Sequence, residues 1–511
     1  MKSNIKRALA LVMLFAVILT LASCGGKSTS SGDPAKTTLK VAVSGDNGTL
    51  DPMGMGGSGG FLNIALTFCE PLWDTNGNLE RVWVLATGLD EVSSTQYTIH
   101  LREGVTFSNG NAFTADDVIF TFNLYKNDPN RSFYLQSLDM ENTKKVDDYT
   151  IDMRFISANV AQIGMMTQTL IVDAESYNAT EMAVNPVGTG PYVVSEYVVG
   201  SHTTVKARED YWEGKPAIET IEFKVLNEDT QKVTALQTGT VDVASIPSQD
   251  IEFVKTLENY EVHIAPSILC GDIGFNLSDN SVFADKDARY AVIHAIDKDA
   301  IVQLAYNGYG NPTDYPFSKL MVDYEDRYTK MGEAYNNSYD IELAKQYAEK
   351  AGIVGKTIKI ITNGSAEYIT TAEILQSQLK EVGINAEINN YDAASYFSVA
   401  FDPTMYDISV YCTATPALMI ADLIYTTIAY GSSGWNGPEY DEFMEIGSTL
   451  MADTDAGSRS EKIYRMLQIY TEFNPTYGTV ETVGATAIAK NIKGVEFWSI
   501  GDVRYQDWSF E

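Results

Sequence analysis

Apolar positions recur along the chain with two rhythms. A period of two, the mark of a half-buried strand, runs through 39–43, 97–101 and 148–155, then 192–199, 203–207, 220–226 and 241–244. It returns at 273–276, 356–362, 384–391 and 407–411, and closes at 485–489 and 495–498. A helical reading fits 61–68, 161–170, 229–238, 285–306, 367–382, 438–451 and 458–473. Within 285–306, Ala288, Ala291, Val292 and Ala295 fall at i, i+3, i+4 and i+7, one stripe of a helix. Thr114-Ala-Asp-Asp117 is a capping-box-like start, and Val118, Ile119 and Phe122 give the helix it opens an apolar face. Asp340 caps another helix, whose Leu343, Ala344, Tyr347 and Ala348 face inward and which Gly352 stops. Strand, helix and strand across 356–391 form a βαβ unit, which implies a parallel pair.

Two stretches interrupt these rhythms. Asn185-Pro-Val-Gly-Thr-Gly-Pro-Tyr192 carries two Pro and two Gly in eight residues, so it is neither helix interior nor central strand. Gly188 and Gly190 allow backbone angles that other residues avoid, while Pro186 and Pro191 hold the flanks extended. After it, Gly200-Ser201 reads as a hairpin turn and Gly239 as a helix stop. Residues 54–60 hold five Gly in seven. They carry no Walker lysine, and read as a turn where backbone approaches a ligand or a facing lobe.

Pro186-Val-Gly-Thr-Gly-Pro-Tyr192, Asp210-Tyr-Trp-Glu-Gly-Lys-Pro216 and Ala235-Leu-Gln-Thr-Gly239 with Val241-Asp242 stand in sequence. With 101–123 and Ala295-Ile-Asp-Lys298, they resemble the peptide/nickel family of extracellular solute-binding proteins, the soluble receptors of ABC importers. The resemblance implies an α/β, periplasmic-binding-protein-like two-lobed fold of type II with an additional inserted domain. Residues 38–75, 187–269 and 485–511 are then lobe I, 76–186 the inserted domain, and 270–484 the opposing lobe. In such proteins 101–123 lies in the inserted domain, away from the ligand, so its acids read as helix caps.

Length and charge narrow the function. A chain of 511 residues exceeds one hydrophobic core, so two or three domains are expected. A net charge of −32 argues against nucleic acid or an anionic membrane surface as ligand. Lys2, Lys6 and Arg7 precede an apolar run, 8–21, too short for a typical membrane span. Residues 1–23 therefore read as a signal peptide. Leu21-Ala-Ser-Cys24 resembles the bacterial lipobox, which implies lipidation at Cys24 and an anchor on the outer face of the cell membrane; 24–37 is a flexible tether. Cys69, Cys270 and Cys412 are scattered and read as buried thiols; the four His have no metal-site spacing. No cofactor or metal is expected.

No Ser/His/Asp set or nucleotide loop stands out, and no enzyme activity is expected, although abundant Asp and Glu leave a glycosidase-type carboxylate pair open. The leading reading is a monomeric binding protein that closes two lobes on a solute and delivers it to ABC permease subunits and their ATPases. A ligand-sensing co-receptor is the other. In peptide-binding members of the family, a segment of the opposing lobe carries an aromatic, small residues, an Asp for the peptide's α-ammonium, then a Pro. Here that segment is Tyr411-Cys-Thr-Ala-Thr-Pro416, without an acid. Asp422 is the nearest substitute in sequence. Tyr411, Thr413, Thr415, Asp422 and Trp435 are the candidate ligand-binding residues. Peptide is the first reading of the solute and oligosaccharide the second, since hydroxyls and aromatic faces suit a sugar as well.

Overall fold

A computed structural model describes residues 36–54, 59–331, 335, 337–413, 415, 417–428, 434–497 and 503–511. The signal-like run, Cys24 and most of the tether lie outside the described residues, as do residues 55–58 of the Gly-rich stretch, Ala414, Pro416 and Trp498. Residues 38–511 are the unit considered below.

β1 (Thr38–Val43) belongs to an eleven-stranded sheet. After it, β2 (Ala86–Ser93), β3 (Gln96–Leu101), β4 (Lys144–Asp147) and β5 (Thr150–Arg154) make a separate sheet in the order β2-β3-β5-β4. Between β3 and β4 runs α1 (Ala115–Asn127), opened by the expected capping box of Thr114 and Asp117. The chain then returns to the large sheet with β6 (Tyr192–Val198), β7 (His202–Ala207), β8 (Thr220–Val225), α2 (Asp229–Gln237) and β9 (Val243–Ser245). β1 is parallel to both β8 and β9, as a strand at the centre of an α/β wing should be.

β10 (Tyr260–Phe275) leaves this first wing. α3 (Lys286–Ala295), α4 (Lys298–Ala305), α5 (Ile341–Lys350), β11 (Thr357–Thr362), α6 (Ala366–Glu381), β12 (Asn385–Asn390) and β13 (Ile408–Thr413) build an opposing wing. α7 (Pro438–Leu450) and α8 (Ala456–Phe473) complete it, and β14 (Thr476–Ala489) returns. The full strand order is β12-β11-β13-β10-β14-β9-β1-β8-β7-β6, with Asn311–Pro312 added on β14. The βαβ unit is present, with β11 parallel to β12 and β13.

Among the described residues the two wings share one sheet through β10 and β14. Their pairing is regular from Tyr260↔Ala489 to Pro266↔Val483 and resumes at Cys270↔Glu481. Between these, Ser267, Ile268 and Leu269 oppose the single residue Thr482. Such extra residues unpair the ladder locally and bend the strand. The Thr482 hydroxyl donates to the Leu269 carbonyl at 2.8 Å, and the Leu269 N–H donates to Ser267 Oγ at 3.0 Å, so side chains hold the loop of the bulge.

Some elements depart from the sequence expectation. The single helix expected over 285–306 is two, because Asp297 accepts the N–H of Ala300 at 3.0 Å and caps a new start. β10 and β14 run well beyond 273–276 and 485–489, since Pro266, Gly271, Gly478 and several Thr erase their alternation. Residues 495–497 form no named strand; Phe497 makes one isolated bridge to Val503. Two cores result. Leu39, Phe68, Val205, Phe223 and Ile488 lie in one that fills the first wing. The other is continuous from Ile99, Phe122 and Met153 around the four-stranded sheet to Ile273, Leu375 and Tyr477 of the opposing wing. The segment carrying that sheet also meets the opposing wing directly, the Val160 N–H donating to the Met451 carbonyl at 2.8 Å.

Candidate functional site

The end of β13 brings the expected segment to the junction of the wings. Cys270, Gly271 and Asp272 of β10 stand opposite Thr413, Cys412 and Tyr411. Tyr411 is half-buried. A Cβ on Gly274 would lie 2.6 Å from Ser409 Oγ, so the missing side chain there makes room for that hydroxyl, with the Tyr411 ring next to it at 3.4 Å. Tyr396 packs beside it, with ring centroids 6.3 Å apart. Thr415, just past the strand, is buried and donates its hydroxyl to Asp422 while accepting the N–H of Ala417 at 3.3 Å.

Two more of the sequence candidates are buried. Asp422 is 2% exposed and its carboxylate accepts the Thr415 hydroxyl, which helps fix the turn after β13. Trp435 is 4% exposed, stacked on Phe473 with centroids 5.0 Å apart and edged by Tyr440 and Phe443. Its faces are occupied by core aromatics, which a sugar or peptide side chain would have to displace.

Residues from other elements complete the junction. Tyr309, in the loop after α4, donates its hydroxyl to Glu252 on the first wing. Lys255 donates to the Tyr309 hydroxyl at 2.7 Å and to Glu252 at 2.8 Å, and lies over the Tyr309 ring. These three tie the wings together across the gap. Glu367, in the first turn of α6, faces the backbone N–H of Ser248 from the first wing. Burial holds its carboxyl above the ordinary range, and the Asp229 carboxylate adds to this. Tyr368 hydrogen-bonds Cys412, and the Tyr306 hydroxyl stands over the bare backbone of Gly271, where an added Cβ would come within 3.3 Å of it. Sequence reasoning did not place Glu367, Tyr368 and Tyr306 at the junction. One signal was available: Glu367 follows the C-terminal end of a parallel strand, where α/β sheets place ligands.

The other chemistry is sparse. Among the described residues the three cysteines are free thiols, and burial pushes each of them up. Among the same residues no His, Cys, Asp and Glu group could hold a metal, and no helix is long and apolar enough to cross a membrane.

Comparison with known proteins agrees with this architecture. The oligopeptide-binding protein AppA of Bacillus subtilis is 25% identical over 423 residues, covering 75% of this chain and 76% of that protein. A dipeptide-binding protein of Escherichia coli is 24% identical over 455 residues, covering 81% and 83%. Among solved structures, Bacillus subtilis AppA in complex with a nonapeptide superposes with a TM-score of 0.77 at 20% identity, covering 93% of this chain and 99% of that one. NikA of Staphylococcus aureus in complex with Ni(L-His)2 gives 0.78 at 19% identity, covering 93% and 100%. Residues 82–431 match the model of the bacterial extracellular solute-binding proteins, family 5, middle region. With more than half of its length in that match, the chain belongs to the family 5 extracellular solute-binding proteins.

Proposed function

We propose that this chain is the substrate-binding component of an ABC importer, which closes its two wings as lobes on a peptide and hands it to permease subunits with their ATPases. The observation that carries this is the junction itself: two bulged strands join the wings, and side chains from both sides meet across the gap. Such a narrow, bent connection suits a hinge, the device by which two-lobed receptors enclose a ligand. Peptide is preferred because the relatives at 24–25% identity are named for oligopeptide and dipeptide binding. On this reading the lobes and the inserted domain have the bounds expected from the sequence, and no turnover accompanies binding.

The experiment is thermal melting and small-angle scattering with a defined peptide mixture. Bound peptide at a hundred times Kd adds about 2.7 kcal/mol to stability, so the melting temperature should rise while the scattering radius falls. Peptides that leave both unchanged, or that return cleaved, would reject the reading.

The same proposal places the body outside the cytoplasm, held by diacylglycerol on Cys24 with residues 25–37 as leash. One acyl-bearing terminus anchors a soluble body without burying it. Mass spectrometry of the protein purified from bacterial membranes should find Cys24 N-terminal and lipidated. An intact Met1 terminus, or a mature terminus at another residue, would remove the anchor.

A further inference from the structure

The inserted domain meets the two wings by different chemistry. Polar bonds pin it to the first wing. The Leu50 N–H donates to the Ala183 carbonyl at 2.9 Å, the Ile171 N–H to the Glu70 carbonyl at 2.9 Å, and the Tyr177 hydroxyl to Asp51 at 3.0 Å. Towards the opposing wing the contact is largely apolar. Ala161, Met165 and Met166 are buried in the same core as Ala417, Leu418 and Leu450, beside the main-chain bond from Val160 to Met451.

Two braced surfaces meet at this seam. Gly164 lies on the short helix Gln162–Met165. That helix is held from behind, since Gln162 accepts the Ser137 N–H at 3.0 Å and Trp73 Nε1 donates to the Ile163 carbonyl at 3.1 Å. Facing it is Ala417, in the turn after β13. A Cβ on Gly164 would lie 3.1 Å from the Ala417 carbonyl oxygen and 3.7 Å from its Cα, so main chain comes up against main chain. The turn is braced as well. Leu418 sits at φ 56, in the left-handed region that bulky side chains avoid. Such a residue persists only where its surroundings fix it. Val322 does so: its N–H donates to the Leu418 carbonyl at 2.8 Å, and its carbonyl accepts the Ile420 N–H at 3.1 Å.

We propose that this seam is a clasp: when the gap shuts, the inserted domain seats Gly164 on the Ala417 turn, and when the gap opens the two part. The connections dictate which seam gives way. The opposing wing hangs on β10 and β14, bent where 267–269 bulge. Rotation there carries the whole opposing wing with it, the turn at 415–422 included. The inserted domain cannot follow without breaking its bonds to Leu50, Glu70, Asp51 and Arg208. The apolar seam separates instead. Opening then wets apolar surface, so the seam favours the closed form. Because the turn directly follows the segment that begins at Tyr411, seating it sets that segment in place, and Gly164 acts on the solute only through the turn. The inference rests on the reading of the wings as closing lobes and adds the inserted domain as the second jaw.

The test compares the full chain as wild type, Gly164→Ala and Gly164→Leu, each with and without a tryptic digest of casein. Native mass spectrometry reads capture, small-angle scattering reads contraction, and thermal melting reads the fold. Without peptide all three should melt together, because the open form leaves the seam unmade. With peptide, wild type should contract. Gly164→Leu should contract less and capture about tenfold less or lower, since its closed form is penalised. Gly164→Ala, whose Cβ asks the turn to give by a few tenths of an ångström, should fall between. Wild-type capture and contraction in Gly164→Leu overturns the clasp and leaves the closing lobes standing. A lowered melting temperature of peptide-free Gly164→Ala overturns it too, since the seam would then be made before any peptide arrives. A wild type that neither captures nor contracts overturns the closing lobes, and the clasp with them.

Discussion

Replacing Gly188 by Ala should cost about 3 kcal/mol or more, at the upper end of what an overpacked site costs. An added Cβ would lie 1.9 Å from the Phe68 carbonyl oxygen and 2.7 Å from Cys69 Sγ. The backbone has no direction in which to retreat. The Ser108 N–H donates to the Gly188 carbonyl at 2.9 Å, the Gly190 N–H to Phe68 at 3.0 Å, and the Tyr192 N–H to Thr67 at 2.8 Å. Arg208, buried, spreads Nη1 over the carbonyls of Gly188, Thr189 and Gly190 at 3.3, 3.1 and 3.3 Å. Its Nη2 reaches the carbonyls of Thr106 and Phe107 at 3.2 and 3.4 Å. The stretch thus rivets the first wing to the segment that carries the four-stranded sheet, and moving it breaks several bonds at once. Urea unfolding of the full chain measures the loss. Gly45→Ala, with open space at its Cβ, is the control and should change stability by less than about 0.5 kcal/mol. A loss below about 1 kcal/mol for Gly188→Ala would mean that the stretch is free to shift and is no rivet.

The same stretch shows how far sequence carries. Its Pro and Gly announce a turn because their backbone preferences are local. That Phe68 and Arg208 demand those glycines is a long-range fact, and nothing in Lys206-Ala-Arg208 signals it. Local chemistry also made α1, α5 and the β6–β7 hairpin legible, down to the Thr114 and Asp340 caps. It misled at Asp297, where an apolar stripe continues through a residue that caps a new helix. It was silent over most of β14, where Thr, Gly and Tyr share both faces. The candidate site divides in the same way. Tyr411 lies at the end of a readable strand. Asp422 and Trp435 were chosen by residue type and nearness in sequence, whereas their burial is decided by Thr415 and by Phe473, whose packing no spacing encodes. Glu367 and Tyr306 reach the junction because α4 and α6 pack on each other.

Arg289→Met should destabilise the opposing wing by about 3–5 kcal/mol, the usual cost of breaking a buried charge arrangement from one side. Arg289 is fully buried on α3. Its Nε donates to the Phe473 carbonyl at 2.9 Å, and its Nη1 to the carbonyls of Phe283 and Ala284 at 2.6 and 3.1 Å. The guanidinium lies 4.1 Å above the Phe473 ring. Phe473 ends α8, and Asn474 turns left-handed after it at φ 53. The last carbonyls of a helix have no partners within it and carry the negative end of its dipole. One guanidinium therefore satisfies a helix terminus and a neighbouring turn together. Burial lowers its pKa to about 10, which leaves it charged at neutral pH. Two effects compete in the substitution. Removing a buried charge for an apolar side chain of similar reach can be neutral or favourable when the whole arrangement is replaced. Here the acceptors are main-chain carbonyls that stay behind, each losing its donor in a dry place at about 1–3 kcal/mol apiece. The second effect is larger, which fixes the sign. Arg289→Lys should fall between, since one ammonium reaches fewer of the three carbonyls. Urea unfolding, followed by near-ultraviolet circular dichroism of the aromatic core, reads both variants. Wild-type stability for Arg289→Met would show that α8 ends without this support.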